Sequence, residues 1–368
     1  MGRPLQVIFT DEQRQLGAEV RRFLRDSSPT AEVRRLMETE SGYDPRVWAT
    51  MAGQLGLQGL AIPERFGGAG CGAAELVVTL EEMGRALLCA PYLGSAVLAA
   101  RAVLAVGAEE FLPGIADGTT VATVALAEDD RGWSVDGLRT VAVPDRDTWV
   151  LTGHKTYVLD GHTADLLLVV AAEESGPSLF AVAADAPGLI RRPLQTIDLT
   201  RKQAALSLDG VPARRLGPAR AAMESALRSA IIALAAEQVG GAQRCLDMSV
   251  EYAKLRVQFG RPIGSFQAIK HRCADMLLSI ERARSAVYHA AQAADQEADE
   301  LLTVASLAKA LCSEVYLQVA ADTIQIHGGI GFTWEHDAHL YFRRAQSTQA
   351  MFGSPDYHRE LVATQLLG

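Results

Sequence analysis

The chain has 368 residues, a formal net charge of -9 and 49% hydrophobic residues, with an isoelectric point near 5.5. That length can bury one large core or two to three smaller ones, and the acidic balance lacks the basic footprint of a nucleic-acid binder. No apolar run reads as long enough to span a bilayer, and the opening MGRPLQVIFTDEQ has no apolar signal-peptide core, so a cytoplasmic protein without a membrane partner is expected.

Taken in order, Phe9 to Leu104 reads as mostly helical. Gly2 does not open a myristoylation site, because the sixth residue is Gln6. Thr10-Asp11-Glu12-Gln13 starts an amphipathic helix with Leu16, Val20 and Leu24 on one face, and a second helix fits Asp44 to Leu55. Ile62 to Gly70 is a glycine-rich loop, followed by a helix over Ala73 to Leu88. From Thr119 to Pro212 the texture turns to strands. Val121 to Leu126, Trp149 to Leu159, Leu166 to Ala171 and Ala204 to Leu208 are β-prone, and Gly, Pro and Asp separate them. Helix then returns over Ala221 to Leu255, Phe266 to Ile280, Val304 to Gln325 and Glu335 to Gln346, with a break at Gly353-Ser354-Pro355 before a last short helix.

This order predicts an α+β chain: an N-terminal helical domain over 1–118, a β domain over 119–215 and a C-terminal helical domain over 216–368. Cys71, Cys89, Cys245, Cys273 and Cys312 are odd in number and far apart, which reads as reduced thiols. No CxxC, HExxH or carboxylate cluster points to a metal, and no GxGxxG stands between a strand and a helix.

The least helical stretch of the second half is Arg256 to Gln267, RVQFGRPIGSFQ. Gly260, Pro262 and Gly264 stop one helix there, and Ser265 is placed to cap the next. An arginine, an amide and an aromatic ring within four residues suit a phosphate and a flat ring; taken alone, the segment is better read as a helical-hairpin corner with a surface arginine.

Three motifs together decide between those readings. Arg256-Val257-Gln258-Phe259-Gly260 with Gln267 resembles the RxxFG…Q segment of the acyl-CoA dehydrogenases. Gln325 to Phe332 resembles their QxxGGxGF segment, and Ile62-Pro63-Glu64 with Phe66-Gly67-Gly68 resembles their PExxGG loop. The resemblance covers nearly the whole chain. It implies an N-terminal helical domain, a middle β-barrel and a C-terminal four-helix bundle, with FAD held between one subunit's barrel and its neighbour's bundle. It also implies α,β-dehydrogenation of an acyl-CoA thioester: a carboxylate takes the α-proton, hydride leaves the β-carbon, and electron-transfer flavoprotein accepts the electrons. Carried over residue by residue, it places Arg256 on the FAD diphosphate, with Gln258 beside it and Phe259 packed on the dinucleotide. Gln267 closes that motif, Gln325 bonds the adenosine or ribityl side, and Gly328 and Gly329 let backbone come close.

The chain also departs from the family. The loop that carries the family's glutamate base falls on Met351-Phe352-Gly353-Ser354, which puts Phe352 at the base position. The alternative base position, on the first bundle helix, falls on Ala230 and Ile231; Glu237 lies further along and reads as a structural or surface carboxylate. The flavin-facing barrel loop corresponds to Ala127 to Ser134, including Asp130 and Arg131, and the barrel's strand end to Tyr157 to Gly161. Two family threonines thus become Ala127 and Leu159. Cofactor groups of the bundle are kept while the base and the flavin-facing hydroxyls are lost. The chain therefore resembles the subunit without the catalytic glutamate in actinobacterial-type heterotetrameric acyl-CoA dehydrogenases, some of which act on steroid side chains. Competing readings are a homomeric enzyme with Asp356 or Glu335 as a relocated base, a different flavin-dependent oxidation on the same fold, and a helical scaffold without flavin.

Overall fold

The computed structural model describes residues 10–129 and 132–367. The readings that rest on the first nine residues, Gly2 included, and the family positions of Asp130 and Arg131 lie outside the described residues. The first half comprises α1 (Asp11–Ser27), α2 (Thr30–Met37), α3 (Pro45–Gly53), α4 (Ala73–Arg85), a π-helical segment (Leu93–Ala99), α5 (Ala100–Val106) and α6 (Leu112–Ala116). Seven strands follow: β1 (Ala122–Ala125), β2 (Val141–Asp145), β3 (Thr148–Leu159), β4 (Leu166–Glu173), β5 (Gly176–Ala183), β6 (Leu189–Pro193) and β7 (Gln203–Pro218). Then come α7 (Ala219–Leu255), the short strands β8 (Val257–Gln258) and β9 (Arg261–Pro262), α8 (Gln267–Asp295), α9 (Leu301–His327), α10 (Ala338–Ala350) and α11 (Pro355–Leu367). The expected α+β order of helices, barrel sheet and helical bundle is what the chain forms.

Two compact units share these elements. One joins the chain up to Arg34 with Gly72–Leu88 and everything from Ile231; the other holds Arg35–Cys71 and Cys89–Ala230. In the second unit, β4 pairs with β2 and β5, and β2, β3, β7 and β5 pair in succession, which closes a ring of strands; β1 and β6 add to β4 and β7. β4, LLLVVAAE, is buried along most of its length, as a strand covered on both faces must be. The π-helical segment is buried throughout, and Ser95 Oγ accepts a bond from the amide of Ala122 at the start of β1.

In the first unit, α9 packs against α8, α10 and α11, and α4 packs against α1 and α8. α1 opens with a capping box between Thr10 and Gln13 and buries Val20 and Leu24. α4 and α7 cross so closely that no side chain fits: a Cβ on Gly240 would lie 1.8 Å from the carbonyl oxygen of Glu81, and one on Gly84 would lie 2.0 Å from that of Glu237. Backbone cannot swing aside as a side chain can. Gly240→Ala should therefore cost about 3 kcal/mol, at the upper end of overpacking penalties, read as a lower urea midpoint with an unchanged slope.

Three expectations need correction. α9 with the 3-10 segment after it, Leu301–Phe332, does reach the length and hydropathy of a membrane span; its apolar surface is spent inside the bundle, where 61% of the most apolar stretch is buried. Ser265 does not cap α8: the cap position is Phe266, and Ser265 lies in a 3-10 turn with its hydroxyl buried and unbonded. The helix expected from Glu335 begins at Ala338.

Candidate functional site

The junction between α7 and α8 is a β-hairpin. As α7 ends, the Arg256 amide still donates to Tyr252 O at 2.8 Å. Val257 then pairs with Pro262 and Gln258 with Arg261, leaving Phe259 and Gly260 as a two-residue turn. Both turn residues have positive φ, 52° and 76°, the mirror-image geometry that matches strand twist. Glycine adopts it freely, whereas a phenylalanine there costs about 1–2 kcal/mol. That strain holds a ring 91% exposed to solvent. Arg261 stacks its guanidinium 4.1 Å from the centre of the Phe266 ring, and Phe259 meets the same ring edge-on at 6.1 Å.

The second motif ends α9. Gly328, at φ 64°, breaks the helix, and Gly328 to Phe332 continues as a 3-10 turn. A Cβ on Gly328 or Gly329 would meet no atom of the chain within 4 Å. Gly328 needs its positive φ. Gly329 has no such need, so its missing side chain leaves room for something other than this chain. His327 is buried just before them, with Nδ1 2.7 Å from Thr323 O, so that nitrogen carries the proton. Burial, together with the neighbouring His336, holds His327 below the usual histidine range.

Two rings tie the motifs together. Tyr252, one turn before Arg256, stacks on His327 with centroids 4.4 Å apart, and the His336 ring centre lies 4.2 Å from that of His327. Sequence assigns a role to neither Tyr252 nor His327, although His327 lies inside one recognised motif and Tyr252 one helical turn before the other. All seven predicted cofactor residues, Arg256, Gln258, Phe259, Gln267, Gln325, Gly328 and Gly329, are exposed, and Phe332 beside them is 83% exposed. Among the described residues Arg256 forms no ion pair, and the side chains of Gln258, Gln267 and Gln325 form no hydrogen bond. An unpaired guanidinium fork, three free amides, an uncovered aromatic ring and a glycine cradle fit a dinucleotide diphosphate such as that of FAD.

The base position is built differently. Phe352 is 2% exposed and has φ 58°. His358 Nε2 lies 3.1 Å from its carbonyl oxygen, and buried Lys309 donates to Gln349 O and Gly353 O, each at 3.1 Å, and to Ser313 Oγ at 3.0 Å. Burial pulls the Lys309 ammonium down to about 7. The loop is held firmly but offers no proton acceptor on its side chain. The substitutes considered from sequence do not converge on it either. Asp356 projects into solvent and pairs with Arg359 at 3.0 Å, Glu335 is exposed, and Glu237, Ala230 and Ile231 are buried on α7.

In the barrel unit, Ala127 and Leu159 are buried and carry no hydroxyl. The Ala127 carbonyl instead accepts from the Thr156 amide at 2.9 Å. The loop is anchored by a buried ion pair: Lys155 Nζ donates to Glu128 Oε1 at 2.7 Å and to Leu126 O at 3.1 Å, while Glu128 also accepts from the amides of Arg139 and Thr140. Burial alone would raise the Glu128 carboxyl; these bonds hold it at about 2. Next to the pair, the β3–β7 register shifts between Lys155 and Val158. Tyr157 sits in that bulge with φ 53° and is half exposed. The sequence places it only as the first residue of a strand end, and the run Tyr157-Val158-Leu159 carries no alternation that would mark a bulge.

Comparison with known proteins matches residues 10–119 to the acyl-CoA dehydrogenase N-terminal domain, 123–211 to the middle domain and 217–367 to the C-terminal domain. The chain is 37% identical over 331 residues to acyl-CoA dehydrogenase IpdE2 of Mycolicibacterium smegmatis, covering 90% of this chain and 91% of that one. Among solved structures, a variant of the Tcur3481-Tcur3483 steroid ACAD aligns with a TM-score of 0.88 at 37% identity, over 97% of this chain and 98% of that one. The ChsE4-ChsE5 complex of Mycobacterium tuberculosis aligns with a TM-score of 0.90 at 30% identity, over 98% and 99%.

Proposed function

Because this chain belongs to the acyl-CoA dehydrogenase family, we propose that it is the base-less subunit of an FAD-dependent heteromeric acyl-CoA dehydrogenase. One contrast carries the reading: every cofactor position of the bundle is open to solvent, while the base position is a buried phenylalanine. A chain that had lost flavin chemistry altogether would have no reason to keep a strained Phe259, an unpaired Arg256 and an unfilled Gly329 cradle. A self-sufficient enzyme would need a carboxylate at the reacting carbon, and Asp356 is taken by Arg359.

In this assembly a companion subunit of the same family carries the glutamate and removes the α-proton of the acyl-CoA. When bound, FAD supplies the acceptor for the hydride that leaves the β-carbon. This chain's residues bind and orient. Arg256 faces the diphosphate with its planar fork, Gln258, Gln267 and Gln325 fix the dinucleotide by amide hydrogen bonds, and Phe259 covers a flat ring and excludes water. Gly328 and Gly329 admit the cofactor close to backbone. The Tcur3481-Tcur3483 structure, named as a steroid ACAD, supports a bulky, steroid-type acyl-CoA here, and electron-transfer flavoprotein is the proposed electron acceptor.

The test is to purify the chain alone and with a companion that carries the glutamate, then measure bound flavin and turnover of a steroid-side-chain CoA ester. Turnover should appear only in the pair and should survive Asp356→Asn in this chain. A fully flavinated, active homomer would end the proposal.

A further inference from the structure

The two halves of the cofactor site stand at the ends of different helices, and a row of contacts between those helices leads up to it. Gln238 Nε2 on α7 donates to Ser313 Oγ on α9 at 3.1 Å. Further along, a Cβ on Gly241 would lie 2.5 Å from the Tyr316 ring, so only glycine lets that ring in. Ser249 Oγ donates to Thr323 Oγ1 at 3.1 Å, and Thr323 Oγ1 donates back to Cys245 O at 3.1 Å. The stack of Tyr252 on His327 is the last contact of the row. Three of these contacts join residues 75 positions apart and the fourth joins residues 74 apart, so α7 and α9 run parallel at one register.

The register is held by buried polar groups. Gln238, Ser249, Ser313 and Thr323 are each at most 1% exposed. Apolar packing alone tolerates a helix sliding along its neighbour. Buried hydrogen bonds do not, since one residue of slip moves each partner about 1.5 Å and leaves it unpaired in the core. The last rung carries that register to the site. His327 Nδ1 donates to the carbonyl of Thr323, the residue of the rung below, at 2.7 Å. His336 lies against His327, and its own Nδ1 accepts from the Ala338 amide at the start of α10 at 3.1 Å. Arg256 follows Tyr252 by four residues, about 6 Å along the helix, and Gly328 follows His327 directly. Neither ring has to touch the dinucleotide for their contact to set how far the Arg256 fork stands from the glycine turn.

We infer that the Tyr252–His327 stack is a positioning contact: as the outermost rung between α7 and α9, it fixes the spacing of Arg256 and the Gly328–Gly329 turn so that both address one diphosphate. The inference rests on the reading of those residues as FAD-binding. A diphosphate has fixed dimensions, and groups that hold it must stay within about 0.5 Å of their places.

The test measures FAD affinity, by fluorescence titration of the flavin-stripped assembly co-expressed with its companion, beside the melting temperature of each variant. Tyr252→Leu and His327→Leu each remove one ring and should weaken FAD binding roughly five- to tenfold, the worth of an aromatic pair. Tyr252→Phe and His327→Phe keep the stack and should stay within about twofold of the wild type. The double leucine variant should bind no more weakly than either single one, because both remove the same contact, whereas separate destabilisations would multiply. His327→Gln keeps a donor for the Thr323 carbonyl but not the ring; it should match His327→Leu and replaces it if the leucine variant does not fold. Leucine variants that bind FAD as the wild type does, phenylalanine variants as weak as the leucine ones, or losses that multiply in the double variant would overturn the inference. Arg256→Ala separates the two levels. If it weakens FAD binding while Tyr252→Leu does not, only the positioning role falls; if it leaves FAD binding unchanged, the cofactor reading falls as well.

Discussion

Replacing Lys155 by methionine should destabilise the protein by about 3–5 kcal/mol, the usual cost of breaking a buried ion pair from one side. The loss is not that of a favourable contact alone. Lys155 and Glu128 are both buried, and removing the ammonium leaves a carboxylate in the barrel wall held by hydrogen bonds from the amides of Arg139 and Thr140. The pH dependence separates this cause from poor packing. In the wild type the Glu128 pKa falls from an ordinary 4.5 to about 2 on folding. The unfolded state therefore binds the proton more readily, so this group contributes stability above about pH 4.5 that is lost as pH falls toward 2. In Lys155→Met, burial dominates and raises the same pKa, so the sign reverses and the variant's deficit should shrink below about pH 5. Denaturant titrations of both proteins at pH 7 and pH 4.5 check this. A deficit independent of pH would assign it to packing. The double variant Lys155→Met with Glu128→Gln should recover most of the loss, since neither side then carries an unpaired charge.

Arg256→Ala should leave the chain's own stability unchanged and strip flavin from the assembly. Among the described residues its guanidinium has no ion-pair partner to lose. Removing charge-assisted bonds to a diphosphate costs about 2–3 kcal/mol, or roughly 30- to 150-fold in affinity. Arg256→Lys keeps the charge but not the paired donors, and should fall between the two. Flavin retention after gel filtration, set beside the melting temperature of the chain alone, distinguishes a binding group from a structural one. Unchanged retention in Arg256→Ala would remove the residue from the site.

The long elements were readable because their patterns run for many residues. α7 and β3 each fall where composition put them, and Thr10 and Asp44 act as the helix caps their residue types favour. β2, β5 and β6 were not anticipated. β5, GPSLFAVA, opens with two strand-averse residues, and β6, LIRRP, is short and charged; their pairing with β4 and β7 overrides local preference. The β8–β9 hairpin was hidden because Phe259 stands where asparagine would announce the turn. At the candidate site, the motif residues could be named in advance, but not the Tyr252–His327 stack that joins the two segments. Side chains from two helices far apart in sequence make that contact, and no spacing rule within one helix reveals it.

The bare rings of Phe259 and Phe332 bear on how the cell must make this protein. Copies in excess of whatever covers those rings would present sticky, aggregation-prone surface and become substrates for chaperones and proteases. Its abundance would then be governed by balanced synthesis with its assembly partner, and the chain made in excess of that partner should be turned over faster than the assembled pair.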